Sequence, residues 1–107
     1  MLKELMYTSC VAAEFTSADL EKLLQQSRVN NLHNKVSGVL LYDGRAFMQI
    51  LEGEEQALDE LFDLIKNDER HFNVTMESYA NIKNRTFENW IMKSIHVPIM
   101  TATPCAA

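Results

Sequence analysis

The chain has 107 residues, of which 47% are hydrophobic and 23% are charged. This length supports one hydrophobic core, and this balance is that of a globular domain rather than a disordered chain. The formal net charge of -5 argues against a nucleic-acid-binding role, because such surfaces are normally basic. No apolar run is long enough to span a bilayer and the N-terminus has no apolar signal region, so we expect a cytoplasmic protein.

The first part of the chain predicts a strand followed by a helix. Residues 2–9 alternate between two faces, which is typical of a strand. Thr16 or Ser17 is suited to cap the helix, whose apolar residues recur at helical spacing as far as the polar cluster at 28–34.

The rest of the chain predicts a hairpin, a second helix and two further strands. Residues 36–42 and 47–52 are apolar segments joined by an Asp-Gly turn signal, which favours a hairpin. Glutamates then favour a helix N-terminus, and an apolar stripe continues to a helix end near Asn67. Extended patterns follow at 74–80 and 90–97.

This order of elements indicates an α+β fold. The sequence predicts a ferredoxin-like β-α-β-β-α-β-β sandwich, in which a mixed sheet carries two helices on one face. We expect one domain over residues 1–97 and a short C-terminal tail over 98–107.

The two cysteines give no motif. Cys10 and Cys105 are far apart in the sequence and form no C-x-x-C pair, which argues against a thioredoxin-like site and a zinc site. We interpret them as free thiols.

Three polar residues interrupt apolar patterns. Tyr7 follows Leu5 on one face of the first strand, and Gln49 stands where the hairpin's second strand would place another apolar residue. Asn31 lies about three helical turns after Leu20, so it extends the apolar stripe of the first helix inward. Each residue alone could satisfy a nearby backbone group. If they converge on one cleft, a phenol and two carboxamides suit a planar heterocycle such as a flavin or a pterin.

With these residues the sequence resembles the BLUF family of blue-light sensors that use FAD. The resemblance extends from about residue 2 to residue 97. It rests on Tyr7-Thr8-Ser9, Asn30-Asn31, SGVLLYDG at 37–44, FMQILEG at 47–53, DERH at 68–71 and RTFENWIM at 85–92. The order and spacing of these segments together, rather than any one of them, indicate the family.

The resemblance implies a role for each matching residue. Tyr7 would donate an electron and a proton to the excited flavin, and Gln49 would relay between the tyrosine and the ring. Trp90 and Met92 match a pair in the final strand whose positions near the glutamine change with light. The resemblance implies that FAD is held noncovalently by Tyr7, Ser27, Asn30, Asn31, Leu40, Phe47, Gln49, Ile65, Arg70 and His71.

The resemblance also implies how the signal leaves the domain. The hydrogen bonds of Gln49 would rearrange, the flavin would end chemically unchanged, and the rearrangement would act on the final strand. The chain carries no catalytic or DNA-binding output domain, so we expect a non-enzymatic sensor that acts on a partner.

Alternation predicts an apolar sheet face on the side away from the helices, which we call the open face. Its predicted members are Met6, Val39, Leu41, Met48, Ile50, Ile91 and Ile95. We expect this face to be covered by a second copy of the chain or by a downstream regulatory protein.

Three other functions compete with this interpretation. The first is a ferredoxin-like interaction module without flavin photochemistry. The second is a small enzyme, which has no support from an H-E-x-x-H, a G-x-S-x-G or a phosphate-loop motif. The third is a sensor that forms a flavin adduct with Cys10, although the motif expected around such a cysteine is missing.

Overall fold

The computed structural model describes residues 1–98 and Cys105, and its elements follow the predicted order. They are β1 (Leu2–Val11), α1 (Ser17–Asn34), β2 (Ser37–Tyr42), β3 (Ala46–Glu54), α2 (Glu55–Lys66), β4 (His71–Asn81) and β5 (Lys93–His96). The strands form a sheet in the order β4-β1-β3-β2-β5. Neighbouring strands are antiparallel except β2 and β5, which are parallel. This mixed sheet with two helices confirms the predicted ferredoxin-like fold.

Helix α1 begins at a capping box. The Thr16 hydroxyl accepts a bond from the Asp19 backbone N–H at 3.2 Å, and the Asp19 carboxylate accepts one from the Thr16 N–H at 2.8 Å. The helix ends where Lys35 adopts a left-handed conformation with φ of 56°. Both ends of α1 are therefore fixed by local contacts, as the sequence predicts for the N-terminal end.

The strand register sets one row of residues across the sheet. Tyr7 on β1 pairs directly with Gln49 on β3, and Gln49 pairs on its other side with Leu40 on β2. Leu40 in turn pairs with Ser94 on β5. Directly opposed residues in a sheet project to the same face, so Tyr7, Gln49 and Leu40 point together.

The main core lies between this face of the sheet and the helices. Leu5 of β1, Leu51 of β3 and Leu58 of α2 are fully buried. The two helices differ in how they join the core, because α2 buries Leu58 and Phe62 whereas α1 buries Leu24 and the polar Asn31. In the described part of the chain, neither helix is long and apolar enough to cross a membrane.

The open face is less exposed than alternation predicts. Val39 was expected on the surface but is only 4% exposed, so that expectation is wrong. Glu52 explains the difference: it projects from the same face, is fully buried, and accepts bonds from the backbone N–H groups of Thr86 and Phe87 at 2.7 and 2.6 Å. The segment between β4 and β5 therefore packs over this end of the open face.

The interpretation of the cysteines as free thiols is also wrong. Cys10 and Cys105 form a disulfide across a sequence separation of 95 residues. Cys10 pairs in the sheet with Ala46, and these two residues and Cys105 form a small buried cluster separate from the main core. Arg45 adds a hydrogen bond of 2.7 Å from Nη1 to the Cys105 backbone oxygen. The disulfide thus joins the C-terminal region to the end of β1.

We predict that Cys105→Ser destabilises the oxidised protein. A disulfide that closes so long a loop restricts the unfolded chain, and losing one typically costs about 2–4 kcal/mol of unfolding free energy. Urea denaturation without reductant measures the difference. With excess dithiothreitol, wild type and variant should unfold at similar urea concentrations, and equal stabilities without reductant would contradict the prediction.

Candidate functional site

A cleft lies between the two helices and the sheet face that carries Tyr7 and Gln49. It holds about 770 Å³ of empty space, part of which opens to solvent. Every residue predicted to hold the cofactor lines it, namely Tyr7, Ser27, Asn30, Asn31, Leu40, Phe47, Gln49, Ile65, Arg70 and His71. The cleft therefore combines apolar walls with a polar group at its floor, the arrangement that suits a planar heterocycle.

A hydrogen-bonded chain of three side chains forms the floor. The Tyr7 hydroxyl donates to Gln49 Oε1, and Gln49 Nε2 donates to the sulfur of Met92 at 3.3 Å. All three side chains are buried, with exposed fractions of 3%, 6% and 4%. These hydrogen bonds therefore connect β1 through β3 to Met92, the residue that precedes β5.

The phenol of Tyr7 is held in its neutral form. Burial raises the pKa of Tyr7, and the negative charge of Asp68 raises it further. Tyr7 packs against the ring of Phe62 with centroids 5.9 Å apart and against the edge of His71 at 6.2 Å. Its proton is thus available for the bond to Gln49 across the physiological pH range.

His71 supports Tyr7 through a fixed tautomer. Its Nε2 lies 2.6 Å from the backbone oxygen of Ile65, and its Nδ1 lies 2.7 Å from the Ser9 hydroxyl. Because a carbonyl oxygen only accepts, Nε2 carries the proton and Nδ1 accepts from Ser9 when the ring is neutral. The imidazole is therefore held from both ends beside the tyrosine.

Arg70 is fixed at the side of the cleft by an ion pair. Its Nη2 lies 2.6 Å from Asp68 Oδ2, and its Nη1 donates to Gln26 on α1 at 3.0 Å. Burial raises the pKa of Asp68, but hydrogen bonds from the side chain and backbone of Arg70 outweigh it and hold the pKa below its usual range. The pair joins α1 to the segment after α2 and leaves a guanidinium lining the cleft.

Asn31 reaches from α1 toward β5. Its Nδ2 donates to the backbone oxygen of Ile91 at 2.9 Å, and the residue is only 2% exposed. Arg28, one turn earlier, donates from Nε to the backbone oxygen of Met92 at 3.2 Å. Asn31 therefore lines the cleft and also contacts the segment that leads into the last strand.

The two predicted residues of the final strand have different surroundings. Met92 contacts Gln49, as the resemblance implies. Trp90 does not line the cleft; it is half-buried, stacks on Phe87 with centroids 5.2 Å apart, and carries Lys93 over its ring at 4.8 Å. The structure thus places Met92, rather than Trp90, beside the glutamine.

The sequence did not single out every residue that lines the cleft. The missed residues are Leu23, Gln26, Leu61, Leu64 and Asp68. Leu23 and Leu61 lie on the apolar stripes of the two helices, where a lining residue has the same pattern as a core residue. Gln26 and Leu64 have no distinguishing pattern, whereas Asp68 could have been noticed as a carboxylate two residues before Arg70.

Known proteins share this fold and much of this sequence. The photoactivated adenylate cyclase subunit alpha of Euglena gracilis is 35% identical over 106 residues, which are 96% of this chain and 10% of that protein. The dark-state structure of BlrB, a BLUF protein, is 38% identical with a TM-score of 0.87, and the match covers 89% of this chain and 72% of that one. The photo-activated state of BlsA is 34% identical with a TM-score of 0.88, covering 91% and 71%.

The chain spans about a tenth of the length of the cyclase subunit it matches. The family model for sensors of blue light using FAD matches residues 2–93, which is most of the chain and includes Tyr7, Gln49 and Met92. The chain therefore belongs to the BLUF family of blue-light sensors.

Proposed function

We propose that this chain binds FAD noncovalently in the cleft and signals blue light through rearrangement of the Tyr7–Gln49 hydrogen bond. The observation that carries the proposal is the buried row of hydrogen-bonded side chains from Tyr7 through Gln49 to Met92 at the floor of the cleft. These hydrogen bonds connect Tyr7, the group suited to donate an electron and a proton, with the start of β5, which is a strand at the edge of the sheet.

The residues of the cleft fit an isoalloxazine ring. Leu40, Phe47 and Ile65 supply apolar walls, and Asn31 and Gln49 supply amide groups suited to the ring's alternating donors and acceptors. Ser27 and Asn30 line the same cleft from α1. Arg70 and His71 line the side nearest the end of α2, where a cationic side chain suits the phosphates of the dinucleotide.

The chemistry of the switch divides between cofactor and protein. A bound flavin supplies a chromophore that becomes a strong oxidant when it absorbs blue light. Tyr7 would give up an electron and the proton of its hydroxyl to this oxidant, and Gln49, which accepts the tyrosine hydrogen bond at Oε1, would relay the proton. Both return to Tyr7 as the glutamine amide changes its arrangement, so no covalent bond to the protein remains and the proposed role is non-enzymatic.

The arrangement of Gln49 determines its contact with Met92. Its Nε2 donates to the methionine sulfur, and a thioether accepts hydrogen bonds weakly but donates none. If the amide turns so that Oε1 faces Met92, the contact loses its donor. The rearrangement therefore releases Met92 from β3, and the change passes to β5.

We also propose that the open face carries the signal to a second copy of the chain or to a regulatory partner. Ile91 and Ile95 are 38% and 36% exposed, and Phe72, which lies opposite Cys10 on the edge strand β4, is 51% exposed. Exposed apolar side chains of this size are typical of protein-binding surfaces.

Two variants test the switch. We predict that Tyr7→Phe and Gln49→Leu retain flavin but lose the light-induced red shift of its absorption band, because each removes one end of the Tyr7–Gln49 bond. Absorption spectra before and after blue light measure this. Tyr79→Phe and Gln56→Leu are matched controls, since they alter a tyrosine bonded to Asp59 and an exposed glutamine on α2.

Two results would contradict this proposal. One is purified protein that is colourless and takes up no added FAD. The other is a normal photocycle in both Tyr7→Phe and Gln49→Leu.

A further variant tests the binding role of Asn31. We predict that Asn31→Ala weakens FAD binding about tenfold, the effect of losing roughly one hydrogen bond in a buried site. Asn34→Ala is the control, because Asn34 is an exposed residue of the same helix. Flavin fluorescence titration measures both affinities, and equal losses in the two variants would remove Asn31 from the site.

The oligomer is tested by light scattering after gel filtration. We predict a mass above that of one chain at high protein concentration, because the exposed apolar residues of the open face would then be covered. Ile95→Lys should restore the monomer, since it places a charge on that face. A monodisperse wild-type monomer would contradict the homo-oligomer and leave a regulatory protein as the expected partner.

A further inference from the structure

Two side chains of α1 bind consecutive backbone carbonyls just before β5. Arg28 Nε donates to the oxygen of Met92 at 3.2 Å, and Asn31 Nδ2 donates to the oxygen of Ile91 at 2.9 Å. The donors are three residues apart in the sequence, so they lie on one side of the helix, one turn from each other. The two side chains of α1 therefore attach this helix to the extended segment that leads into β5.

These bonds matter because α1 buries few apolar residues. Leu24, at 5% exposed, is its one buried apolar side chain, whereas Val29 and Leu32 are 68% and 66% exposed. Strand β5 is also weakly held, since in the described part of the chain its four residues pair with β2 alone and lie at the sheet edge. The polar contacts are thus a large part of what fixes α1 relative to the start of β5.

Met92 is held at both its side chain and its backbone. Gln49 Nε2 donates to its sulfur, and Arg28 Nε donates to its carbonyl oxygen. The sulfur contact depends on the arrangement of Gln49, whereas the carbonyl contact depends on α1. Since the two contacts converge on one residue, a change in either alters the geometry of the other.

From this convergence we propose that Arg28 is a positioning residue of the switch, a role that rests on the proposed function. Its bond to the Met92 carbonyl holds the methionine where its sulfur meets Gln49, which favours the dark arrangement. When light rearranges Gln49, Met92 leaves this position and the Arg28 bond lengthens or breaks. Return to the dark state restores both contacts together.

The proposal predicts slower dark recovery in Arg28→Met, because methionine fills a similar space but has no N–H to donate to the Met92 carbonyl. Without the Arg28 bond the dark arrangement is less favoured relative to the lit one, so decay of the red shift should slow about two- to fivefold, the range expected from one hydrogen bond. Arg28→Lys keeps a positive charge and a donor, so it should recover at a rate closer to wild type. The size of the initial red shift should be unchanged in both variants, because Tyr7 and Gln49 are intact.

A control separates this effect from loss of charge. Lys22→Gln removes a positive charge from an exposed position on the same helix and should recover at the wild-type rate. Hydrogen exchange of the Lys93–His96 amides in the dark, FAD-loaded protein gives a second readout that needs no light. We expect exchange several-fold faster in Arg28→Met than in wild type or Lys22→Gln.

The outcomes distinguish this inference from the proposed function. If wild type shows the red shift, and Arg28→Met matches it in both recovery and β5 exchange, the role of Arg28 is wrong and the proposed function stands. If wild type binds FAD but shows no red shift, the proposed function is wrong and the switch role falls with it. Slower recovery together with faster exchange, in Arg28→Met but not in Lys22→Gln, supports the proposal.

Discussion

The site depends on the register between β1 and β3, which places Tyr7 directly opposite Gln49. Side chains alternate faces along a strand, so a slip of one residue in β3 would turn Gln49 to the open face and bring Met48 or Ile50 opposite the tyrosine. The register is secured by the core, because Leu5 and Leu51 form another opposed pair two residues away and both are fully buried. The same burial that stabilises the fold thus aligns the switch.

The segment before β5 is held from both sides of the sheet. On the helix side, Asn31 and Arg28 bind its carbonyls. On the open face, the buried Glu52 accepts backbone N–H groups of the loop, and Arg85 donates to the Glu52 backbone oxygen at 2.9 Å. A change at Met92 therefore occurs between two fixed supports and directly before β5, a strand of four residues at the edge of the sheet.

The sequence predicted the fold and the centre of the site but not the contacts made by the backbone. Tyr7 and Gln49 were found because each is a polar residue at an apolar position of an alternating strand pattern. Asn31 was found because it continues the apolar stripe of the first helix. Arg28 was missed because its partner is a carbonyl oxygen, which every residue has. Strand β5 is shorter than predicted because the Trp90 and Ile91 oxygens bind Gly38 N–H and Asn31 instead of continuing the ladder. The Cys10–Cys105 bond was missed because nothing local marks a pair so distant in the chain.

The two ends of the buried chain determine which way the Gln49 amide points in the dark. Tyr7 keeps its proton because burial raises its pKa, so it is a donor and favours Oε1 as its partner. Met92 accepts but never donates, so it favours Nε2. The observed orientation satisfies the amide at both ends. The reversed amide could donate to the Tyr7 hydroxyl oxygen but would leave Oε1 facing a sulfur that cannot donate, so Oε1 would need another donor. In the proposed function a bound flavin lies against this amide, so its ring can supply or remove the one interaction that the protein leaves open.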